Sequence, residues 1–129
     1  MWLLDKNLPK AFYLELSSRN INCQSAGSIS LDFMGRPDLT LGNLENGALT
    51  RAAVSLGFKA LLTRDKTYAI DAKAALAEHK SFLVVVILFE QSPHDTLRAR
   101  FAGALDAFGQ ITPGTVDQIS HWPPGQKPF

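Results

Sequence analysis

Two aspartates follow short apolar runs of the chain, and both have basic neighbours. Asp5 ends the run "WLLD", and Asp65 comes two residues after the run "ALLT". Two carboxylates that converge repel each other unless a proton or a cation lies between them. Mg²⁺ binds oxygen ligands and keeps several waters, and beside a phosphodiester it activates water and stabilises the leaving oxygen. If Asp5 and Asp65 meet in the fold, carboxylate-held metal chemistry is the expected consequence.

Each aspartate taken alone also has an ordinary structural explanation. Asp5 supplies a favourable negative charge to the N-terminus of a following helix, and Asp65 is a common residue type in turns. The matched placement of both at the ends of apolar runs favours the functional interpretation, because perturbed charges cluster at functional sites.

The elements that must position these aspartates are strands that alternate with helices. Apolar runs predict strands at 2–4, 58–63 and 82–89, and "INCQSA" at 21–26 predicts a weaker one. The run "FLVVVILF" is continuous, which is typical of a strand covered on both faces. Apolar spacing and capping residues predict helices after Asn7, from Asn43–Asn46 to Gly57, at 71–79 and from Ser92 to Gly109.

This alternation predicts a three-layer α/β/α fold with a mainly parallel central sheet and right-handed connections. The segment 28–43 has no clear period and is expected to be mostly loop. We interpret 1–120 as one domain and 121–129 as a proline-rich tail. Functional groups of an open parallel sheet gather beyond the carboxyl ends of its strands, so Asp5 and Asp65 converge if their strands are neighbours.

The amino-acid composition and the net charge limit the classes of protein to which the chain can belong. The chain has 129 residues with a net charge of +1, which gives no global attraction to nucleic acid. The single cysteine, Cys23, excludes an internal disulfide framework and fits a reducing compartment. The longest apolar run, 82–89, is too short for a membrane-spanning helix. We therefore expect a cytoplasmic protein with no membrane partner.

The motifs "LLDKNLP" and "LLTRDKTY" together resemble the PIN-like nucleases, and more narrowly the compact VapC-like toxins of bacterial toxin–antitoxin modules. Members of that family tend to begin with a strand, an aspartate, a charged residue, and then Asn, Leu and Pro. They carry a Thr-x-Asp motif after a later strand. The similarity covers the chain in order and spacing from its start to the strand at 82–89.

The resemblance implies a Mg²⁺- or Mn²⁺-dependent endoribonuclease, that is, a phosphodiester hydrolase. It places the family's first acid on Asp5 and its Thr-x-Asp motif on Thr63 and Asp65, with Asn7 orienting the first carboxylate. It further implies an RNA substrate and a cognate antitoxin protein as partners, and it leaves a homodimer open.

The sequence departs from the family pattern at two positions. The family usually has an acid at the start of the middle helix, where this chain reads "LENG" and places Asn46. Glu45 is the nearest carboxylate, and Asp38 is a second candidate if the loop carries an insertion. The family's second acid after the Thr-x-Asp motif is replaced by Thr67. We expect Asp5 and Asp65 to hold the metal, and Glu45 to complete the site directly or through water.

Four basic residues flank the two aspartates: Lys6, Lys10, Arg64 and Lys66. They are candidates for contacts with RNA phosphates, which dominate nucleic-acid affinity. The alternative for each of them is an ordinary solvated surface charge.

Two rival functions remain to be weighed. A haloacid-dehalogenase-type phosphatase also has an aspartate after its first strand, but it needs a second acid two residues later, where this chain has Asn7. That rival is set aside. The second rival is a PIN-like protein that has lost catalysis and acts by binding a partner or RNA, and the Asn46 and Thr67 departures support it.

Overall fold

The computed structural model describes residues 1–6, 8–89, 92–108 and 118–122. Its strands are β1 (Trp2–Leu4), β2 (Cys23–Ser25), β3 (Ser30–Leu31), β4 (Arg36–Thr40), β5 (Ala60–Thr63), β6 (Leu83–Ile87) and β7 (Ile119–Trp122). Its helices are α1 (Lys10–Ser18), α2 (Asn46–Ser55), α3 (Tyr68–Asp71), α4 (Lys73–Glu78) and α5 (His94–Phe108). Within these ranges, no helix is long and apolar enough to cross a membrane.

A parallel sheet of five strands, in the order β2-β1-β5-β6-β7, forms the centre of the fold. Every neighbouring pair in it is parallel, and β1 lies between β2 and β5. The strands β3 and β4 form a separate antiparallel hairpin. The predicted α/β fold with a parallel sheet is therefore confirmed, and the three apolar runs of the sequence are its neighbouring central strands.

Helices cover both faces of this sheet. On one face, Leu4 of β1 packs in a core with Phe12 of α1 and Phe101 of α5. On the other face, Leu3 packs in a core with Leu49 of α2 and residues of α3 and α4. All three residues of β1 and all five of β6 are buried, which explains why their sequences are continuously apolar.

Aromatic contacts hold α5 on the same face as α1. The rings of Phe12 and Phe101 meet edge to face with centroids 4.6 Å apart, and Trp122 of β7 lies 6.0 Å from Phe101. Edge-to-face rings at this separation are a favourable aromatic geometry. The apolar spacing of α1 and α5 in the sequence thus corresponds to one shared core.

The expectation of uniformly right-handed connections is not met. The steps from β5 to β6 and from β6 to β7 run in the same direction across the sheet. Their helices α4 and α5 nevertheless pack in the cores on opposite faces, so the two connections have opposite hands. The face opposite α2, α3 and α4 is thus covered by α1 and α5, and Val85, Ile87 and Trp122 are buried in the core on that face.

Two elements differ from the sequence interpretation. The segment expected to be mostly loop contains the β3–β4 hairpin, whose turn is closed by Gly35 with a positive φ of 74°. Strand β7 was not predicted, and it includes His121 and Trp122, the first two residues of the predicted tail. The remainder of that tail, 123–129, lies outside the described residues.

An ion-pair network joins α1 to α5 across their contact. The carboxylate of Glu15 accepts hydrogen bonds from Nε of Arg19 at 2.8 Å and from Nε of Arg98 at 3.0 Å. These hydrogen bonds, from Arg19 first and then Arg98, hold the pKa of Glu15 below its ordinary value. A carboxyl group with a lowered pKa stabilises the fold above its unfolded-state pKa, and this contribution is lost as the pH falls through the folded-state value.

We therefore predict that Glu15→Gln lowers the free energy of unfolding at about pH 7 by ~1–2 kcal/mol, since it weakens two charged hydrogen bonds. The difference from the parent should shrink as the pH falls below about 4, where the parent carboxylate also becomes protonated. Urea unfolding at both pH values measures it. Glu78→Gln, which removes an exposed partner of Arg51, is the control and should change stability much less. An equal loss of unfolding free energy at both pH values would contradict stabilisation by the ionised carboxylate of Glu15.

Candidate functional site at the carboxyl ends of β1 and β5

A cleft of about 440 Å³ opens at the carboxyl edge of the sheet. The chain leaves β1 toward β2 on one side and later enters β5 on the other side of β1. Such a reversal of strand order is where open α/β sheets bind ligands. The residues that line the cleft come from four segments: Asp5, Lys6, Leu8, Gly42, Leu44, Asn46, Leu49, Arg64 and Asp65. The sequence prediction that Asp5 and Asp65 lie at one edge is thus met by the geometry.

Thr63 at the end of β5 links the two aspartates. Its buried hydroxyl donates to Oδ2 of Asp5 at 2.7 Å and accepts from the backbone N–H of Asp65 at 3.0 Å. The other carboxylate oxygen of Asp5 accepts from the backbone N–H of Lys6 at 2.8 Å. Both oxygens of Asp5 are therefore oriented by neutral donors, and one buried threonine sets the spacing of the pair.

Asp65 is held in its ionised form by its surroundings. Burial alone would raise the pKa of this carboxyl group, but three hydrogen bonds outweigh burial and lower the pKa. Nδ2 of Asn46 donates to Oδ2 at 2.8 Å. The backbone N–H and the hydroxyl of Thr67 donate to Oδ1 at 3.0 and 2.9 Å. Asp65 consequently carries a full negative charge at neutral pH.

The amide of Asn46 bridges two carboxylates. Its Nδ2 also lies 3.2 Å from Oδ2 of Asp71, and the hydroxyl of Thr67 lies 3.1 Å from the same oxygen. An amide nitrogen has two N–H donors, so one can point to Asp65 and one to Asp71. Asn46 thus places the positive end of a dipole between the two anionic groups.

Asp71 is a residue near the site that the sequence analysis does not include, because it falls at the start of the helix predicted at 71–79. The structure makes it the last residue of α3. The available signal was its spacing from Thr67, since residues four apart lie on the same face of a helix. Because of this spacing, the carboxylate of Asp71 lies within 3.1 Å of the hydroxyl of Thr67, in the loop that also contains Asp65.

Two buried hydroxyl groups lie next to the backbone carbonyl of Asn46 and hold this residue in place. The hydroxyls of Thr50 and Tyr68 lie 2.6 Å apart, and both lie within hydrogen-bonding distance of the carbonyl of Asn46, at 2.8 and 3.2 Å. Since each hydroxyl has one proton, one of them donates to the other and the second donates to the carbonyl. Burial raises the pKa of Tyr68 well above its ordinary value, so the phenol stays protonated. The first residue of α2 is therefore attached to the core beneath the cleft.

The structure places the other predicted acids away from the pair. Glu45 is the N-cap of α2, and its carboxylate accepts from the backbone N–H groups of Gly47 at 3.1 Å and Ala48 at 2.7 Å. It is not among the residues that line the cleft. Asp38 is exposed on β4, and Asn7 lies outside the described residues.

The four basic candidates separate into two groups. Lys6 and Arg64 line the cleft. Lys10, the first residue of α1, and Lys66 are exposed and do not line it. The structure thus brings together two cations and two anions of the predicted set.

The carboxylates of the cleft do not form a complete metal site by themselves. Among the described residues, no group of three His, Cys, Asp or Glu side chains could hold a metal by itself. Mg²⁺, however, is commonly held by one or two carboxylates together with waters and substrate phosphates. Each carboxylate oxygen has two lone pairs. Asp5 accepts two hydrogen bonds and Asp65 accepts three, so one lone pair remains on each oxygen of Asp5 and on Oδ2 of Asp65.

Comparisons with protein-family models, with curated proteins and with solved structures found no match for this chain. The geometry of the cleft and the motif resemblance are therefore the two observations from which its function is inferred.

We predict that Asn46→Asp makes the stability of the protein depend on divalent cations. The new carboxylate would replace an amide donor between Asp65 and Asp71, and the repulsion should lower the melting temperature in EDTA. Millimolar MgCl₂ or MnCl₂ should then raise the melting temperature of the variant more than that of the parent, since the ion binds only the folded state.

Differential scanning fluorimetry with and without the metal measures this effect. Asn22→Asp is the matched control, because it adds the same charge at an exposed position that does not line the cleft. An equal response of both variants to metal would show that the Asn46 amide does not act in place of a cation.

Proposed function

We propose that the chain is a Mg²⁺- or Mn²⁺-dependent endoribonuclease of the PIN-like type and the toxin of a toxin–antitoxin module. The observation that carries the proposal is the cleft that gathers Asp5, Asp65, Lys6 and Arg64 at the switch point of the sheet. Metal-dependent hydrolysis of a phosphodiester uses anionic ligands for the metal and cationic contacts for the phosphate, and this cleft has residues of both kinds. The motif resemblance supplies the nuclease and toxin assignment.

The proposal gives a definite role to each of the residues at the site. A bound Mg²⁺ or Mn²⁺ would polarise the phosphodiester and lower the pKa of the attacking water. Asp5 and Asp65 are its ligands, and Thr63 sets their spacing through its two hydrogen bonds. Because its pKa is lowered, Asp65 serves as an anionic ligand and not as a proton donor. Glu45 acts at a distance by capping the helix that begins with Asn46.

A second candidate function is binding of RNA or a protein partner without cleavage. The observation that favours it is the amide of Asn46, which already donates to both Asp65 and Asp71. This dipole partly takes the role that a cation would have between the two carboxylates. A protein of this kind would keep the cleft and its charges but bind metal weakly.

The metal-site proposal predicts that Asp5→Asn and Asp65→Asn each lower cleavage of single-stranded RNA by more than about 100-fold, the upper end of the losses seen for outer-shell partners of a metal. Both variants keep the shape of the side chain, so the fold should remain intact. Asp38→Asn removes an exposed carboxylate outside the cleft and should cleave like the parent. Glu45→Gln should have a smaller effect on cleavage than either cleft variant.

Cleavage is measured with Mg²⁺ and with Mn²⁺, alongside thermal unfolding of each variant. Parent-like cleavage by both cleft variants would refute the metal site. A parent that neither cleaves RNA nor binds metal in a calorimetric titration would instead establish the second candidate function.

The toxin proposal predicts that expression of the chain in a bacterial host slows growth, and that co-expression of the neighbouring open reading frame restores it. An antitoxin that covers the cleft would keep RNA from Asp5 and Asp65. Growth curves with and without the neighbouring frame measure the effect, and the Asp5→Asn variant is the control for toxicity that depends on the cleft. Equal growth in all cases would argue against a toxin.

A further inference from the structure

The cleft holds two cations that are not paired with its own carboxylates. Lys6 and Arg64 line the cleft beside Asp5 and Asp65. Within the described residues, however, neither of them belongs to an ion pair, since the ion pairs involve other residues. The carboxylates accept instead from backbone, amide and hydroxyl donors. The two cations therefore keep their charge available for an anion from outside.

Arg64 is fixed in place by a single hydrogen bond. Its Nη2 donates to the carbonyl of Phe89 at 3.0 Å, which ties the residue after β5 to a residue after β6. A guanidinium group has five N–H donors in a planar fork, so four remain after this contact. That fork matches two oxygens of a phosphate. The Phe89 carbonyl thus orients a half-buried phosphate-binding group before any ligand arrives.

Lys6 is positioned by the absence of a side chain at Gly42. A Cβ at Gly42 would lie 3.1 Å from Cβ and 3.3 Å from Cδ of Lys6. Gly42 is buried in the turn Leu41–Asn43, which is closed by the hydrogen bond from the N–H of Thr40 to Oδ1 of Asn43. The aliphatic stem of Lys6 therefore packs directly on the backbone of a fixed turn.

We propose that Lys6 and Arg64 form a metal-independent seat for one phosphate of single-stranded RNA, and that Gly42 is the positioning residue for Lys6. The proposal rests on the proposed nuclease function and names the groups by which the cleft holds its substrate. Leu8 and Leu44, which are half-buried, line the same cleft and offer apolar contacts to a ribose or base. A cleft of about 440 Å³ accommodates an unpaired nucleotide, whose base is free to leave the stack.

The first test measures binding of a fluorescein-labelled single-stranded oligoribonucleotide in EDTA by fluorescence anisotropy. Arg64→Gln and Lys6→Gln should each weaken binding by about tenfold and reduce the slope of log K against log salt by at most about 0.7, the value for the one phosphate that they share on a single strand. Lys59→Gln is the matched control. It removes the same charge just before β5, at the opposite edge of the sheet, and should bind within about twofold of the parent.

Variants that leave the net charge unchanged separate positioning from general electrostatics. Gly42→Ala should weaken binding several-fold by displacing Lys6, whereas Gly103→Ala should not, because a Cβ at Gly103 meets nothing within 4 Å. Arg64→Lys keeps the charge but loses the fork, and its affinity for the oligoribonucleotide should lie between those of the parent and Arg64→Gln.

Asp5→Asn should tighten binding in EDTA, since it removes a charge that repels phosphate. A loss for Arg64→Gln no larger than that for Lys59→Gln would overturn the proposal.

The seat and the nuclease can fail separately in these experiments. If the parent cleaves RNA with Mg²⁺ but Arg64→Gln does not change RNA binding in EDTA, the seat is refuted and the nuclease function is not. Binding in EDTA that depends on Arg64, in a parent that does not cleave RNA with either metal, would support the seat and refute the nuclease. Circular dichroism of each variant verifies that the protein compared is folded.

Discussion

The in-register parallel pairing of β1 with β5 is the constraint on which the cleft depends. Leu4 pairs with Leu62, and the backbone N–H of Asp5 continues the ladder by donating to the carbonyl of Leu62 at 2.9 Å. This bond brings Asp5 beside Thr63, whose hydroxyl then orients the carboxylate of Asp5 and the N–H of Asp65. A shift of one residue would turn every side chain to the other face of the sheet, and Asp5 would then no longer lie beside Thr63.

The sequence predicts those parts of the fold whose residues are buried on a regular period. Strands β1, β5 and β6 are continuous apolar runs, and the start of α2 falls within the predicted interval. Strand β7 could not be found in this way, because "ISHW" is a half-buried edge strand with polar residues and only Trp122 is fully buried. The β3–β4 hairpin is mostly exposed, so it leaves no apolar period. The face of the sheet that α5 covers depends on how much of each face the other helices leave uncovered, and no local sequence pattern shows this.

The sequence predicts the site residues that lie at the ends of strands. It does not predict the position of a residue whose type is suited to two different roles. Asp5 and Asp65 follow directly from the order of apolar runs and the rule for parallel sheets, and Thr63 follows from the Thr-x-Asp motif of the resemblance. Glu45 could be a ligand or a helix cap. The extended backbone at Glu45, with φ −69° and ψ 163°, turns its carboxylate onto the N–H groups of α2. Asp71 enters the site through the amide of Asn46, a contact between segments 25 positions apart in sequence.

The neutral partners of the carboxylates determine what the cleft can bind. If Arg64 were paired with Asp65, each charge would satisfy the other and the cleft would offer little to a charged ligand. Instead, hydroxyl, amide and backbone donors orient the carboxylates and lower the pKa of Asp65 without cancelling its charge. The cations are oriented by a carbonyl and by packing on Gly42. Charges of both signs therefore coexist unpaired, which suits a ligand that itself carries both signs, such as a divalent cation joined to a phosphate.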